Sequence, residues 1–258
     1  MLTLLTPTRD RQAACQLLQR WLDRQTYQGP WHWVVVDDGG DRCGIVEREG
    51  SKRTTIIRRQ NMDKKVHSLP LNLLAAAPLL SQLGGPYIVM EDDEWYGPEY
   101  VATMAKWLGE FEAVGESPTY DYNVKYRQWK VLETRDEAAS FSRTGFTCAT
   151  LPHWLDAAKA AAVKKSPWVD SLGWERVVSK KHLFFIHRTV QQKPMAVAMK
   201  GLPGPIGPSH GHQWSPRIRK TDPDMSALRR WMGDEYEAYS AFYQPMANGL
   251  LDNKDQTA

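Results

Sequence analysis

At 258 residues, 42% of them hydrophobic and 24% charged, the chain has the composition of a globular protein large enough for a sizeable core. A net charge of +3 is too small to argue nucleic-acid binding by itself. No stretch approaches the roughly 18 apolar residues of a membrane span, and "LTLLT" is too short for a secretory leader, so a soluble, cytoplasmic protein is expected.

Strand-like and helix-like segments alternate through the first hundred residues, the pattern of a mainly parallel α/β sheet. "LTLLT" predicts a first strand, and Ala14, Leu17, Leu18, Trp21 and Leu22 recur at helical spacing within a helix over residues 11–25. "WHWVVVDDGGD" is a β-branched run that stops at a turn. "TTIIRR" predicts a third strand, "LNLLAAAPLLSQL" a helix interrupted or restarted near Pro78, and "YIVM" a fourth strand. Pro98 suits the first turn of a helix carrying Tyr100, Val101, Met104, Trp107, Leu108 and Phe111 on one face.

The second half reads less regularly. "YNVKY" and "WKVLE" predict strands, and the polar "TRDEAASFSRTG" a mobile loop. Helices are expected over residues 154–163 and 171–180, and strands at "LFFIH" and at the start of "KPMAVAMKG". A Gly/Pro-rich loop, a helical segment over 225–243 and a frayed polar tail complete the chain. Cys15, Cys43 and Cys148 are odd in number and lack CxxC spacing, which argues for reduced thiols rather than disulfides or a zinc site. Eleven tryptophans, several beside basic groups, could stack on a base or a sugar, although core packing is the commoner use of each.

Ligands of open α/β sheets bind outside the carboxyl ends of the strands. Here those ends carry Thr6, Pro7, Thr8 and Arg9, then Asp37 to Asp41, then Glu91 to Glu94. A turn explains Asp37 and Asp38 singly, and a helix amino end explains the later acids. Two acidic clusters on one sheet edge suit a shared cation site better. Hard carboxylate oxygens are the ligands Mg²⁺ or Mn²⁺ takes. Arg9, Lys64, Lys65 and His67 lie where they could finish neutralising a bound phosphate.

The motifs "LLTPTRDR", "VVVDDGGD" and "YIVMEDDEW" resemble the GT-A glycosyltransferases, particularly the inverting group with a "DDGS"-like strand end and a later DXD motif. The likeness is good over residues 1–110 and loose beyond; "EDDEWYGPEY" with "YNV" is similar to enzymes of phages and prophages. It implies an α/β GT-A (Rossmann-like) domain over residues 1–245, with a nucleotide-sugar-binding half, 1–110, an irregular acceptor half, 111–245, and a flexible tail. It implies a metal-dependent transferase using a nucleotide sugar, UDP-sugar favoured, with Mn²⁺ or Mg²⁺ as cofactor. The acceptor implied by the phage-type likeness is a hydroxymethylated pyrimidine in DNA, and the place of action the host cytoplasm. Residue by residue, Thr6, Pro7, Thr8 and Arg9 fall in the nucleotide-contacting loop and Asp37 or Asp38 at the base-reading position. Lys64, His67 and Asp92 fall to the nucleotide sugar, and Glu91 and Asp93 to the metal, unless the register runs Asp92 and Glu94. Asp170 stands where the family keeps its general base, with Glu175 in reserve, and His210 or His212 where some members add a metal ligand. The chain departs from the pattern at Leu71-Asn72, where relatives show an Arg-Asn pair.

Two other readings compete. A nucleotidyltransferase would carry a Gly-rich signature after its first strand, and "LLTPTRDR" has no glycine. A non-catalytic nucleic-acid-binding protein leaves the clustered acids unexplained, because they would repel phosphates.

Overall fold

Strands buried on both faces need apolar residues at consecutive positions, and the amino-terminal half supplies them. In a computed structural model, describing residues 1–60, 67–133, 137–189, 193–205, 212 and 219–243, the chain opens β1 (Leu2–Thr8), α1 (Gln12–Asp23), β2 (Trp31–Asp37), β3 (Lys52–Arg58), α2 (Ser68–Leu83) and β4 (Tyr87–Val89). There follow β5 (Glu94–Tyr96), α3 (Tyr100–Leu108), β6 (Ala113–Ser117), β7 (Thr119–Asn123), β8 (Gln128–Leu132), β9 (Thr144–Phe146), α4 (Leu151–Val163) and α5 (Val169–Ser179). The last elements are β10 (Phe184–Arg188), β11 (Ala196–Lys200), β12 (Lys220–Thr221), α6 (Ser226–Met232) and α7 (Glu237–Ser240).

The main sheet has the order β10-β6-β9-β4-β1-β2-β3, and every strand but β9 runs the same way. Leu5 pairs with Val34 on one side and Val89 on the other, so the register stacks apolar positions across neighbours. Successive side chains face opposite ways. Leu5, Val34, Val36 and Val89 therefore join the core under α2, α4 and α5, while Leu4, Val35, Ile88 and Met90 join the one under α1 and α3. A second sheet, β12-β8-β7-β11-β5, packs on α6 and α7 around Trp95, Tyr122 and Trp231. Trp21, Trp95, Trp154 and Trp174 are fully buried, so for these the core reading of the tryptophans holds.

Four expectations need correction. α2 runs unbroken through Pro78, which is exposed, so the carbonyl its missing N–H leaves unpaired can meet water. Pro98 lies ahead of α3, whose cap is Glu99, rather than in its first turn. Glu94–Tyr96 is a strand of the second sheet, antiparallel to β11, where the sequence suggested a direct run from acids into helix. The expected mobile loop ends in β9, the reversed strand wedged between β4 and β6. Its glycine is the reason it fits: a Cβ on Gly145 would stand 2.9 Å from Leu108 Cδ1 and 3.1 Å from Val114 Cγ2. Among the described residues no helix is long and apolar enough to cross a membrane.

Candidate functional site

β1 and β4 are neighbours in the sheet, so the chain leaving each passes the other's carboxyl end. Thr8, the last residue of β1, donates its hydroxyl to Asp92 Oδ2 at 2.6 Å. Arg11, just beyond, reaches Asp92 Oδ1 at 3.1 Å and Asp93 Oδ2 at 2.9 Å. From the second sheet Lys200, the last residue of β11, places its ammonium 2.9 Å from the same Asp93 oxygen. Glu94 pairs with the fully buried Arg143 at 3.1 Å and accepts the Ser142 hydroxyl at 3.0 Å. Three protein cations thus stand among four consecutive acids. One carboxylate oxygen each of Glu91, Asp93 and Glu94 lies within 4.8 Å of the others, a set of hard donors that fits a divalent cation.

The electrostatics follow the pairing. Burial opposes ionisation of Asp93, but Lys200 and Arg11 outweigh it and hold the carboxyl well below its usual range. Glu91, half-buried, is pushed up to about 8 by burial and then by the Asp93 charge. Burial likewise raises Asp92 and Glu94, with Arg11 and Arg143 pulling against it. Lys200 and Arg11 keep their charge against burial because acids surround them.

The β2 end is built differently. Asp37 accepts the backbone N–H groups of Gly39 at 2.9 Å and Cys43 at 3.0 Å and pairs with Arg58, so it shapes the loop after the strand. Asp38 is held by Arg59 at 2.9 Å on one oxygen and by the Asn72 amide at 3.0 Å on the other. Arg59 also donates to Asn72 Oδ1 at 2.9 Å, closing a ring of three side chains. Asn72 of the Leu71-Asn72 pair is therefore bonded into the site, and the guanidinium beside it comes from Arg59, just beyond β3.

No known family profile and no curated protein sequence matches the chain. Among solved structures it is similar to S. aureus TarS. Against residues 1–349 of that protein the identity is 14% and the TM-score 0.39, over 58% of this chain and 48% of the other. Against a longer TarS structure the values are 12% and 0.43, over 67% and 33%. The chain thus spans about half of one and a third of the other, and likenesses at this level carry no argument about activity.

The remaining expected residues divide clearly. Thr6 is fully buried: its hydroxyl donates to Met90 O at 2.6 Å and accepts the Trp33 indole at 2.9 Å, so it ties β1 to β4 and β2. Pro7 lies within β1, Arg9 at its end, and His67 caps α2 through backbone alone. Lys64, Lys65 and His210 lie outside the described residues. His212 does reach the site: its Nδ1 accepts the Gly201 N–H at 3.4 Å, and burial and the Lys200 charge lower it to about 4. Asp170 lies in the first turn of α5 and accepts the Ser171 N–H at 2.8 Å, with burial raising its pKa. Among the described residues no hydrogen bond or ion pair joins Asp170 to Glu91, Asp92, Asp93 or Glu94. Glu175 is exposed on the same helix.

Sequence reasoning missed Arg11, Arg59, Arg143 and Lys200. Arg11 is two positions from Arg9, and Arg59 directly follows β3, the strand beside one ending in acids. Lys200 and Arg143 carry no local signal: only the second sheet and β9 bring them in.

Proposed function

We propose that this chain transfers a glycosyl group from a nucleotide-sugar donor to an acceptor hydroxyl. The observation that carries the reading is the meeting, at the carboxyl ends of adjacent parallel strands, of Thr8, Arg11, Asp92 and Asp93 with the Asp38–Arg59–Asn72 ring. Open α/β sheets bind nucleotides outside these strand ends, which would set the base toward Asp38 and the diphosphate toward Arg11 and Lys200. A uracil-type base offers a ring N–H to the carboxylate, which favours a UDP-sugar. Glu91, Asp93 and Glu94 are the residues that would hold Mn²⁺ or Mg²⁺, which stabilises the charge growing on a departing diphosphate.

Asp170 takes the part of general base in an inverting displacement: a carboxyl raised by burial accepts the acceptor's hydroxyl proton as the sugar bond forms on the face opposite the diphosphate. On the second-sheet side of the acids lies a cavity of about 450 Å³ lined by Lys125, Tyr126, Gly201, His212 and Phe242 among others. Its aromatic and cationic walls suit a planar, anionic acceptor, and a hydroxymethylated pyrimidine in DNA has that chemistry. Incubation with a panel of nucleotide sugars and hydroxymethylated DNA, then digestion and mass analysis of nucleosides, tests both halves. A hexose on the modified base supports the reading. Donor hydrolysis without transfer to DNA would remove the acceptor, and no turnover of any nucleotide sugar would remove the function.

A further inference from the structure

Lys200 stands where a cation bound to Asp93 would meet it. Its Nζ lies 2.9 Å from Asp93 Oδ2, an oxygen that Arg11 also touches at 2.9 Å. The side chain is only 10% exposed, and its charge is felt by Glu91, Glu94 and Asp121 as well. Its backbone is held in the β11–β7 ladder, with Lys200 opposite Asn123. Gly201 has φ +84°, and a Cβ there would lie 2.7 Å from Asn123 Oδ1, so the close turn after β11 requires glycine. What can move is the four-carbon stem of the lysine.

A second buried carboxylate is within the same field. Asp121, on β7 beside β11, pairs through Oδ2 with the buried Arg219, while its Oδ1 has no hydrogen-bond partner among the described residues. An orphaned carboxylate oxygen in a buried place is costly, and an ammonium reaching it would remove that cost.

We infer that Lys200 is an exchangeable counter-cation: it holds Asp93 while the acid cluster is empty and swings toward Asp121 when a divalent cation takes the carboxylate. The inference rests on the metal reading above and adds a regulation to it. Two positive groups on one carboxylate oxygen repel, so the lysine competes with the metal and lowers its affinity until it leaves. Nucleotide arriving with the metal offers the displaced ammonium a diphosphate as well, which couples metal and nucleotide binding.

The test is Mn²⁺ binding to the full chain without nucleotide, read by the electron paramagnetic resonance of free Mn²⁺, in wild type, K200M and K200Q. Removal of the competing charge is expected to tighten Mn²⁺ binding at least tenfold in K200M. K200Q provides the same comparison should K200M fail to fold. Adding D93N to the tighter variant is expected to abolish the gain, and retention of the gain would place the ion elsewhere and overturn the inference. Equal affinity in wild type and the Lys200 variants would overturn it while leaving the metal reading intact. Absence of Mn²⁺ binding in every form, with and without UDP, would overturn both.

Discussion

Arg143 is the sharpest structural commitment beneath the acids. Its side chain is fully buried, pairs with Glu94 at 3.1 Å and donates to the carbonyls of Tyr120 at 3.2 Å and Pro118 at 3.4 Å. Arg143→Met fills most of the volume and deletes the charge, leaving Glu94 with the Ser142 hydroxyl and the Lys200 field and taking from Glu116 the Arg143 charge that favours its ionised form. Breaking a buried pair by removing one partner costs about 3–5 kcal/mol, because the other charge stays behind. Set against a total stability of about 5–15 kcal/mol, that is a large fraction. In a chain of this length each kcal/mol moves the midpoint by roughly 2–4 °C, so Arg143→Met is expected to melt roughly 6–20 °C below wild type at pH 7.5. Urea unfolding followed by tryptophan fluorescence measures the same loss at fixed temperature. The double variant Arg143→Met with Glu94→Gln should recover most of it, since the charge left unpaired on residue 94 is gone. A single variant costing under about 1 kcal/mol, or a double that simply adds the two losses, would refute the buried-pair account.

Glu116 is buried on β6, accepts the Met195 N–H at 2.9 Å, and is raised by burial from 4.5 to about 7. The folded state therefore binds this proton more tightly than the unfolded one, so its stability is full below pH 4.5, falls between 4.5 and 7, and is level above. The 2.5-unit difference is worth about 3 kcal/mol. Glu116→Gln should match wild type at pH 4 and exceed it by up to about 3 kcal/mol at pH 8; a gap that does not change with pH would sink the assignment. Asp170→Asn should melt as wild type and bind nucleotide normally while transferring sugar about a hundredfold to ten-thousandfold more slowly, and near-normal turnover would remove Asp170 as the base. Asp38→Asn should lower the preference for UDP over ADP by about 1.5–3 kcal/mol in calorimetry, with an unchanged ratio counting against base reading.

How far the sequence reaches is decided by where each signal resides. Strand runs such as "WHWVVVD" and the helical spacing of Ala14, Leu18 and Leu22 are local, and the sheet from β1 to β4 follows from them closely. The acids at the strand ends were legible for the same reason, since a parallel sheet puts carboxyl ends together. β9 was not, because three residues, Thr-Gly-Phe, show no period, and their strand character comes wholly from the edges of β4 and β6. Pairs across 81 to 107 positions of sequence, such as Arg11 with Asp92 or Lys200 with Asp93, leave no mark on either partner's neighbourhood.

That non-local pairing changes what the run Glu91–Glu94 means. Four adjacent acids look like a demand for a metal, yet Arg11 and Lys200 already meet Asp92 and Asp93, Arg143 meets Glu94, and burial together with the Asp93 charge gives Glu91 a pKa of about 8. The acids and the protein's own cations are thus close to charge balance. A divalent cation entering the cluster must therefore either release a proton from Glu91 or displace one of the protein's cations, and Lys200 has a flexible stem and a carboxylate outside the run, Asp121, in its field. A diphosphate arriving at the same moment restores the balance by giving the displaced charge a partner. On these grounds metal and nucleotide should bind with positive coupling, each tightening the other by the same factor. Titrating Mn²⁺ with and without UDP, and UDP with and without Mn²⁺, measures that factor from both sides. Independent binding of the two would mean that the protein's cations stay in place and that the acids serve the fold rather than the donor.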